Sequence, residues 1–501
     1  MAMRLSGLMS GMDTESLISQ LVEAKKSKVD KVKKSQIKQN WTQDAWKDLN
    51  TKLKNLQSKY ISSMRFETAY SKKVTKVSDS SKASVITGEG AVNSVQSLEI
   101  TQLAKTGYLT GAELKTGTGE NAPRANYTAL TKLSDMGIEA GASFKIGSAQ
   151  IDVTADTTIS DVLNKAKEAG LNASFDADNQ RFFISAKESG LSNDFEILSN
   201  NTKGAEAIKK LGLTTESGAT KVKGQDAKIK LNDAEFTNSS NVFKVNGLTI
   251  TALSETKEGE KVTLTTEQDT DGIYDMVKNF LKEYNSVMNE MDKLYNATSA
   301  YGYDPLLNEE KDAMSESEVE EYEKKIKDSL LRGDSNLSTI SMGLRGVMSE
   351  GISIGDKKWY LSDFGINTLG YFNAPENERN AYHIDGDTDD SSTSGNADKL
   401  KSLISSDPDK VISFFSQLSQ NLYNKMSDLS KSVDGYRSFG NFYDDKKMTA
   451  DYKDYTSKIA DMEQKLNDYE DKWYSKFSKM EAAMAKMQSK TNALSGLIGG
   501  S

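Results

Sequence analysis

Carboxylates offer the first chemistry to test. The run DGDTDDSS sets Asp385, Asp387 and Asp389 two residues apart, the spacing with which an EF-hand calcium loop opens. Such a loop needs a glycine in its middle and a bidentate glutamate at its end. Here Gly386 comes too early and Asn396 stands where the glutamate belongs, so the run reads as a fortuitous acidic loop. The one histidine, His383, is the only candidate for the usual general base near neutral pH. It lies in the polar stretch NAYHIDGDTDDSSTSG, which reads as an exposed loop. A single histidine leaves no His–His metal pair, and the absence of cysteine removes disulfides and thiolate metal sites. Neither a GxxxxGK[ST] phosphate loop nor an HExxH motif occurs. Glycoside hydrolysis needs two carboxyls held across a cleft, and no such pair stands out among the 73 acidic residues. The expectation is an assembly protein and not an enzyme, with no catalytic, cofactor or metal site; a surface glycan hydrolase is the remote alternative.

Charge gives a second set of candidates. The run KKSKVDKVKKSQIK spans Lys25 to Lys38 and could suggest a nucleic-acid or membrane surface. The chain as a whole carries a net charge of −9, which argues against a dedicated nucleic-acid binder. The acidic run DMEQKLNDYEDK, with Asp461, Glu463, Asp468, Glu470 and Asp471, offers the lysines a partner within the chain. No stretch of ~18 apolar residues is present, and the first residues lack the apolar core and cleavage site of a secretory signal.

The elements that carry these runs are legible from glycine and proline. Neither occurs from Met12 through Thr87 or from Asn441 through Ser495. Each is costly inside a helix, by ~1 and ~3 kcal/mol, so the two ends read as long helices. Asp13 is placed to cap the first, with Glu15 in its opening turn. Heptad spacing puts Ile18, Val32, Trp46 and Leu53 on one seam position and Leu21, Leu49 and Leu56 on the other, with a polar stretch between Lys25 and Thr42. In the last helix Ile459, Leu466, Trp473, Met480, Met487 and Leu494 recur every seventh residue. Met462, Tyr469 and Leu497 fill the companion position, and Phe477 widens the stripe. These are the expected coiled-coil and assembly residues. Gly7, Gly11, Gly496, Gly499 and Gly500 are expected to keep the two tips adaptable.

The middle is glycine-rich and reads as β-structure. FKIGSAQIDV is strand, turn, strand; TTISDVLNKAKEAG is a short helix with Ile159, Val162, Leu163 and Ala166 on one face; LNASFDADNQRFFISA is a hairpin around Asp178–Asn179. Together they predict a ββαββ-like module. Further hairpins are expected at Asn232–Asp233 and Asn246–Gly247. Helix returns from Ile273 to Leu294, and two short helices are expected on either side of Pro408.

In order along the chain, LSGLMSGMDTESLISQLVEA, TISDVLNKAKEAGLNASFDADNQRFFISAKESG, GQDAKIKLNDAEFTNSSNVFKVNGLTITAL and VKNFLKEYNSVMNEMDKL resemble the flagellar filament-capping proteins, the hook-associated protein two family. LSDFGINTLGYF and LISSDPDKVISFF resemble two further patterns of that family, and YDPLLNEEKDAMSESEVEEYEKKIKDSLLRGDSNL is similar to its clostridia-like Gram-positive type. The resemblance implies a multidomain α+β fold: a terminal coiled-coil helical stalk, a helical shaft, and two β-rich outer domains with one inserted in the other. On the sequence the limits fall at 1–45 and 457–501 for the stalk, 46–78 and 269–456 for the shaft, 79–110 and 224–268 for one β-rich domain, and 111–223 for the inserted one. The resemblance further implies a ring-shaped homo-oligomer, often a pentamer, at the tip of the growing flagellum, outside the cell, which promotes folding and insertion of flagellin. It implies export through the flagellar secretion channel without a cleaved signal peptide. Its implied partners are flagellin, an export chaperone and the secretion apparatus, the hook–filament junction proteins, and host mucin or the cell surface. A flagellin-like or hook–filament junction protein is the nearest alternative.

Overall fold

The structure is a computed structural model that describes residues 13–117 and 122–498; Gly7, Gly11, Gly499 and Gly500 lie outside them, as does the side chain of Leu497. The chain divides into a largely helical unit, residues 1–70 with 270–501, and a β-rich unit, Ser71–Asp269.

Helix α1, Thr14–Asn55, begins where Asp13 accepts a hydrogen bond from the Ser16 N–H at 2.9 Å and ends with Lys52 and Lys54 in its last turn. A π-helical segment, Leu56–Ile61, follows directly and leads into one further helical turn, Ser62–Met64. The wider π turn rotates the apolar face. Leu56, Ile61 and Met64 are buried, whereas a continued heptad would have buried Tyr60 and Ser63; Tyr60 is half-buried and Ser63 exposed.

The β-rich unit holds two apolar cores. The first lies between a five-stranded antiparallel sheet and a three-stranded one. The larger sheet runs in the order β1 (Lys73–Val77), β15 (Val262–Gln268), β3 (Ser94–Gln102), β11 (Ala227–Leu231), β12 (Ala234–Asn238). The smaller runs β13 (Val242–Val245), β14 (Leu248–Ala252), β2 (Ala83–Thr87). Leu98, Ile100, Ile229, Phe243, Ile250 and Leu264 fill the space. The expected turns form here: Asn232 and Asp233 take φ of 50° and 64°, Asn246 and Gly247 take 48° and 77°, both central residues left-handed as a two-residue hairpin of type I′ requires.

The second core belongs to the module inserted between β3 and β11. It has a four-stranded sheet, β10 (Thr220–Val222), β4 (Thr106–Thr110), β8 (Arg181–Ser189), β7 (Leu171–Asp176), and a three-stranded sheet, β6 (Ala149–Asp152), β5 (Ser143–Ile146), β9 (Ile197–Ser199). Helix α2, Ile159–Glu168, is capped by a reciprocal Thr158–Asp161 box and buries the four predicted residues Ile159, Val162, Leu163 and Ala166. Helix α3, Thr202–Lys210, buries Ala207 and Ile208 in the same core.

Two boundaries differ from those expected. Residues 71–78, expected in the shaft, belong to the β-rich unit because β1 pairs along its whole length with β15. The inserted module begins near Lys105 and not at 111, because β4 takes both its partners, β8 and β10, from within the module.

Gly247 shows how tightly the hairpin is fitted: a Cβ there would lie 2.3 Å from the Ala91 nitrogen. Gly247→Ala is expected to combine that collision with roughly 1–3 kcal/mol of backbone strain. Gly259→Ala, also at positive φ but with open space around it, should show only the strain. Thermal denaturation of the two variants measures the difference.

The helical unit resumes with α4, Thr270–Tyr295, which buries Ile273, Val277, Phe280, Leu281, Tyr284, Met288 and Met291 along one face, with Leu294 half-buried. Then come α5 (Glu316–Asp328), α6 (Ser335–Ser349), α7 (Lys399–Ser406), α8 (Pro408–Leu429) and α9 (Asp445–Ile498). Asp407 caps α8 and Pro408 opens it, so the break falls where the sequence placed it. Trp46, Leu49, Leu53 and Leu56 pack with α4, α6 and α8 in one core that also takes Phe364, Phe414, Phe415 and Phe442. They were expected on the coiled-coil seam; the part of α1 that bears them is instead a core helix. Among the described residues no helix is long and apolar enough to cross a membrane.

Candidate functional site: the paired terminal arms

Helices α1 and α9 pair antiparallel. Gln43 donates to Thr449 at 3.2 Å and Gln36 to Thr456 at 2.7 Å; Lys33 meets Glu463 at 2.7 Å; the Lys25 ammonium sits 3.7 Å from the centre of the Tyr469 ring. One register serves all four contacts and brings Thr14, the first residue of α1, alongside α9 near Met480. Beyond that point α9 continues to Ile498, a further ~25 Å at 1.5 Å per residue, with no described residue of α1 beside it.

Within the paired stretch α1 buries Ile18, Val22 and Val29. The expected seam residues Leu21 and Val32 do not take those places; Leu21 is exposed and Val32 half-buried. Ile18 and Val22 are four apart and Val22 and Val29 seven apart, so heptad spacing persists, with the companion position moved one residue on, from Leu21 to Val22 and from Lys28 to Val29. On α9 the predicted residues do share one face. Ile459, Met462, Leu466, Tyr469, Trp473, Phe477 and Met480 are all half-buried, none fully. Tyr469, Trp473 and Phe477 form a ladder with centroids 6.1 Å apart at each step. Further along, Met487 is 68% exposed and Leu494 57%. A lone pair of helices therefore leaves a continuous apolar stripe only partly covered.

The lysine run meets the acidic segment of α9 in part, through the Lys33–Glu463 ion pair and Lys25 on Tyr469, and in part meets partners that were not expected. Lys26 binds Glu309 at 2.9 Å and Lys34 binds Glu310 at 2.6 Å, both from the single turn Asn308–Lys311. Burial works to raise the Glu310 carboxyl, but the Leu307 N–H and Lys34 outweigh it and hold it below the usual range. Helix α5 supports the same stretch: Lys327 lies 4.5 Å from the centre of the Trp41 ring and 3.1 Å from Glu323. Glu323 is buried and also meets Lys311 at 2.6 Å. Sequence reasoning does not reach this bracing, because α5 is charged along most of its length. The buried Glu323 and Ile326, three residues apart on an otherwise charged helix, were the available signal.

The acidic loop is folded around a lysine. Lys278 Nζ lies 2.6 Å from both Asp387 and Asp389; Asp385 accepts from Asn396 Nδ2 at 2.8 Å. Burial works to lower Lys278, and the two aspartates outweigh it, holding it above the usual lysine range. His383, expected in an exposed loop, is on the strand Tyr382–Ile384, only 14% exposed, with Nδ1 2.5 Å from Asp390. The strand Ile366–Thr368 pairs with it and draws the ring inward.

This loop carries a pH prediction. Burial works to raise the Asp390 carboxyl, but His383 and the Ser392 N–H outweigh it, so it is held below the ordinary range. A depressed carboxyl stabilises the fold above its unfolded pKa of ~4, and that contribution is lost as pH falls through the lower folded value. The melting temperature of the helical unit should drop as pH falls below about 4, and Asp390→Asn should flatten that drop.

A family model described as "Flagellar hook-associated protein 2 C-terminus" matches residues 224–489, and one described as "Flagellar hook-associated protein 2 N-terminus" matches residues 10–107. The chain belongs to the flagellar hook-associated protein 2 family. The two matches cover both arms of the helical unit and the two-sheet core, and leave the inserted module between them. A flagellar hook-associated protein 2 of Halalkalibacterium halodurans is 24% identical over 447 residues, 82% of this chain and 78% of that one. Another, of Thermotoga maritima, is 26% identical over 391 residues, 75% of this chain and 57% of that one. Among solved structures, the flagellar cap protein FliD D1-D2-D3 domains of Escherichia coli are similar with 19% identity and a TM-score of 0.47, over 76% of this chain and 95% of that one.

Proposed function

We propose that this family member caps the flagellar filament: copies assemble as a closed ring at the filament tip, outside the cell, and promote folding and insertion of flagellin. The observation that carries this reading is the apolar stripe of α9, half-covered along Ile459–Met480 and open at Met487 and Leu494. Completing the burial of one large apolar side chain stabilises association by ~1 kcal/mol or more, so a bundle of several copies gains what a lone chain cannot. A ring of five copies is the working stoichiometry. Export proceeds through the flagellar channel with the help of a chaperone, and the hook–filament junction proteins are the first surface the ring meets. Host mucin or cell-surface contact is an additional role assigned to the β-rich unit.

Closure distinguishes a cap from a filament protein, because a head-to-tail contact that does not close grows without limit. Gold-labelled protein added to growing filaments should mark one end of each filament in electron micrographs. Label distributed along the shaft would assign it to the filament or junction class instead, and unlabelled filaments would overturn the capping role.

A further inference from the structure

The helical unit carries one recessed and one protruding feature that the arms do not use. A cavity of about 620 Å³ opens between α4, α6 and the segment 371–380. Its floor is Asp292, buried, which accepts from Arg345 and, at 2.7 Å, from Asn380 Nδ2. The Arg345 Nε and the Ser341 hydroxyl are buried there without a partner. At the rim Met342 is 61% and Tyr371 64% exposed. Arg379 lies 4.0 Å from the centre of the Tyr371 ring and has no carboxylate within ion-pair distance among the described residues. An apolar rim beside an unpaired guanidinium suits an apolar side chain accompanied by a carboxylate.

The protruding feature is the 431–440 loop between α8 and α9. Its backbone is fixed: Val433 and Arg437 exchange hydrogen bonds at 3.0 and 2.8 Å, Arg437 donates to the Leu429 carbonyl and Asp444, and Ser438 donates twice to Asp445 at 2.7 Å. On this rigid support Phe439 is 79% exposed, and Val433, Tyr436 and Asp434 of the same loop are exposed as well. A loop ordered in advance loses little entropy on docking. Cavity and loop are both open in the same chain, so the loop does not fill its own cavity. A closed ring needs a head-to-tail contact between two different patches; these two both present apolar side chains, and they offer opposite charges at Arg379 and Asp434.

Resting on the ring reading above, we propose that the 431–440 loop of one copy docks in the cavity of the next, with Phe439 entering the Met342–Tyr371 rim and Asp434 meeting Arg379. The cysteine-free chain permits a direct test on the full-length protein. Met342→Cys and Phe439→Cys, made separately, mixed and treated with a short bis-maleimide, should give a covalent dimer. Phe439→Cys mixed with Leu130→Cys, whose residue is exposed on the β-rich unit, should not. Arg379→Asp should weaken self-association about tenfold or more, and Asp434→Lys in the same chain should restore it. A wild-type protein that assembles while the first mixture stays uncross-linked and the charge reversals change nothing overturns the docking and leaves the ring intact. Cross-linking of Phe439→Cys to an added flagellin that carries an introduced cysteine, but not to Met342→Cys, also overturns it. A wild-type protein that stays monomeric at every concentration overturns the ring reading itself.

Discussion

Trp46→Ala is expected to destabilise the helical unit by about 3–5 kcal/mol, the cost of emptying a large, closed aromatic site. The indole is fully buried, stacked on Tyr443 with ring centroids 5.8 Å apart and planes 8° from parallel. Its Nε1 donates to Asp334 at 3.3 Å, and the other oxygen of Asp334 caps α6 through the Leu337 N–H at 3.0 Å. One side chain thus ties α1 to the segment entering α9 and to the start of α6. Trp46→Phe should keep most of the packing and lose chiefly the hydrogen bond, about 1 kcal/mol. Met487→Ala, at an exposed position, should shift stability by less than about 0.5 kcal/mol. Denaturant midpoints of the three full-length variants give the ranking directly.

Trp473→Glu combined with Phe477→Glu is expected to abolish assembly while leaving both units folded. Both side chains sit in the ladder on α9, half-buried against α1, and neither belongs to the core of the helical unit. Burying what remains of each on association is worth ~1 kcal/mol or more, and each copy in a bundle presents the same pair. Replacing both with carboxylates removes that gain and sets like charges together, so the association constant should fall by on the order of 100-fold or more. Sedimentation of the variant beside the wild type reads the loss, and an unchanged melting temperature for the β-rich unit shows that the fold survives. Unchanged sedimentation would remove the ladder from the interface.

Much of this architecture could be read from residue types. Two long stretches free of glycine and proline became α1 and α9, because those residues are the ones a helix interior tolerates least. Asp13, Pro408 and the Asn246–Gly247 turn act through local backbone chemistry, and local chemistry is what a sequence displays. The errors share a different cause. Heptad spacing alone does not tell a seam from a core face, so Trp46, Leu49, Leu53 and Leu56 read as seam residues, although they lie within the expected shaft limits and fill the helical core. The π turn at Leu56–Ile61 has no signature of its own in residue types; tertiary packing sets it, and it ends the heptad register. The partners of Lys26 and Lys34 lie some 280 residues away in sequence, and long-range pairing of solvent-exposed charges leaves no periodic trace. His383 read as exposed because its neighbours are polar, whereas the strand pairing that draws it inward depends on a segment centred on Asn367.

The measurement that bears most directly on the assembly claim is the solution mass of the full-length protein beside a chain trimmed to residues 46–456, each across a range of concentrations. The expected result is a closed oligomer of fixed size for the full-length protein. The trimmed chain should be a monomer with reduced helicity and a folded β-rich unit. Equal masses for the two, or a full-length protein that remains a monomer, would contradict the proposal that the terminal arms hold the ring together.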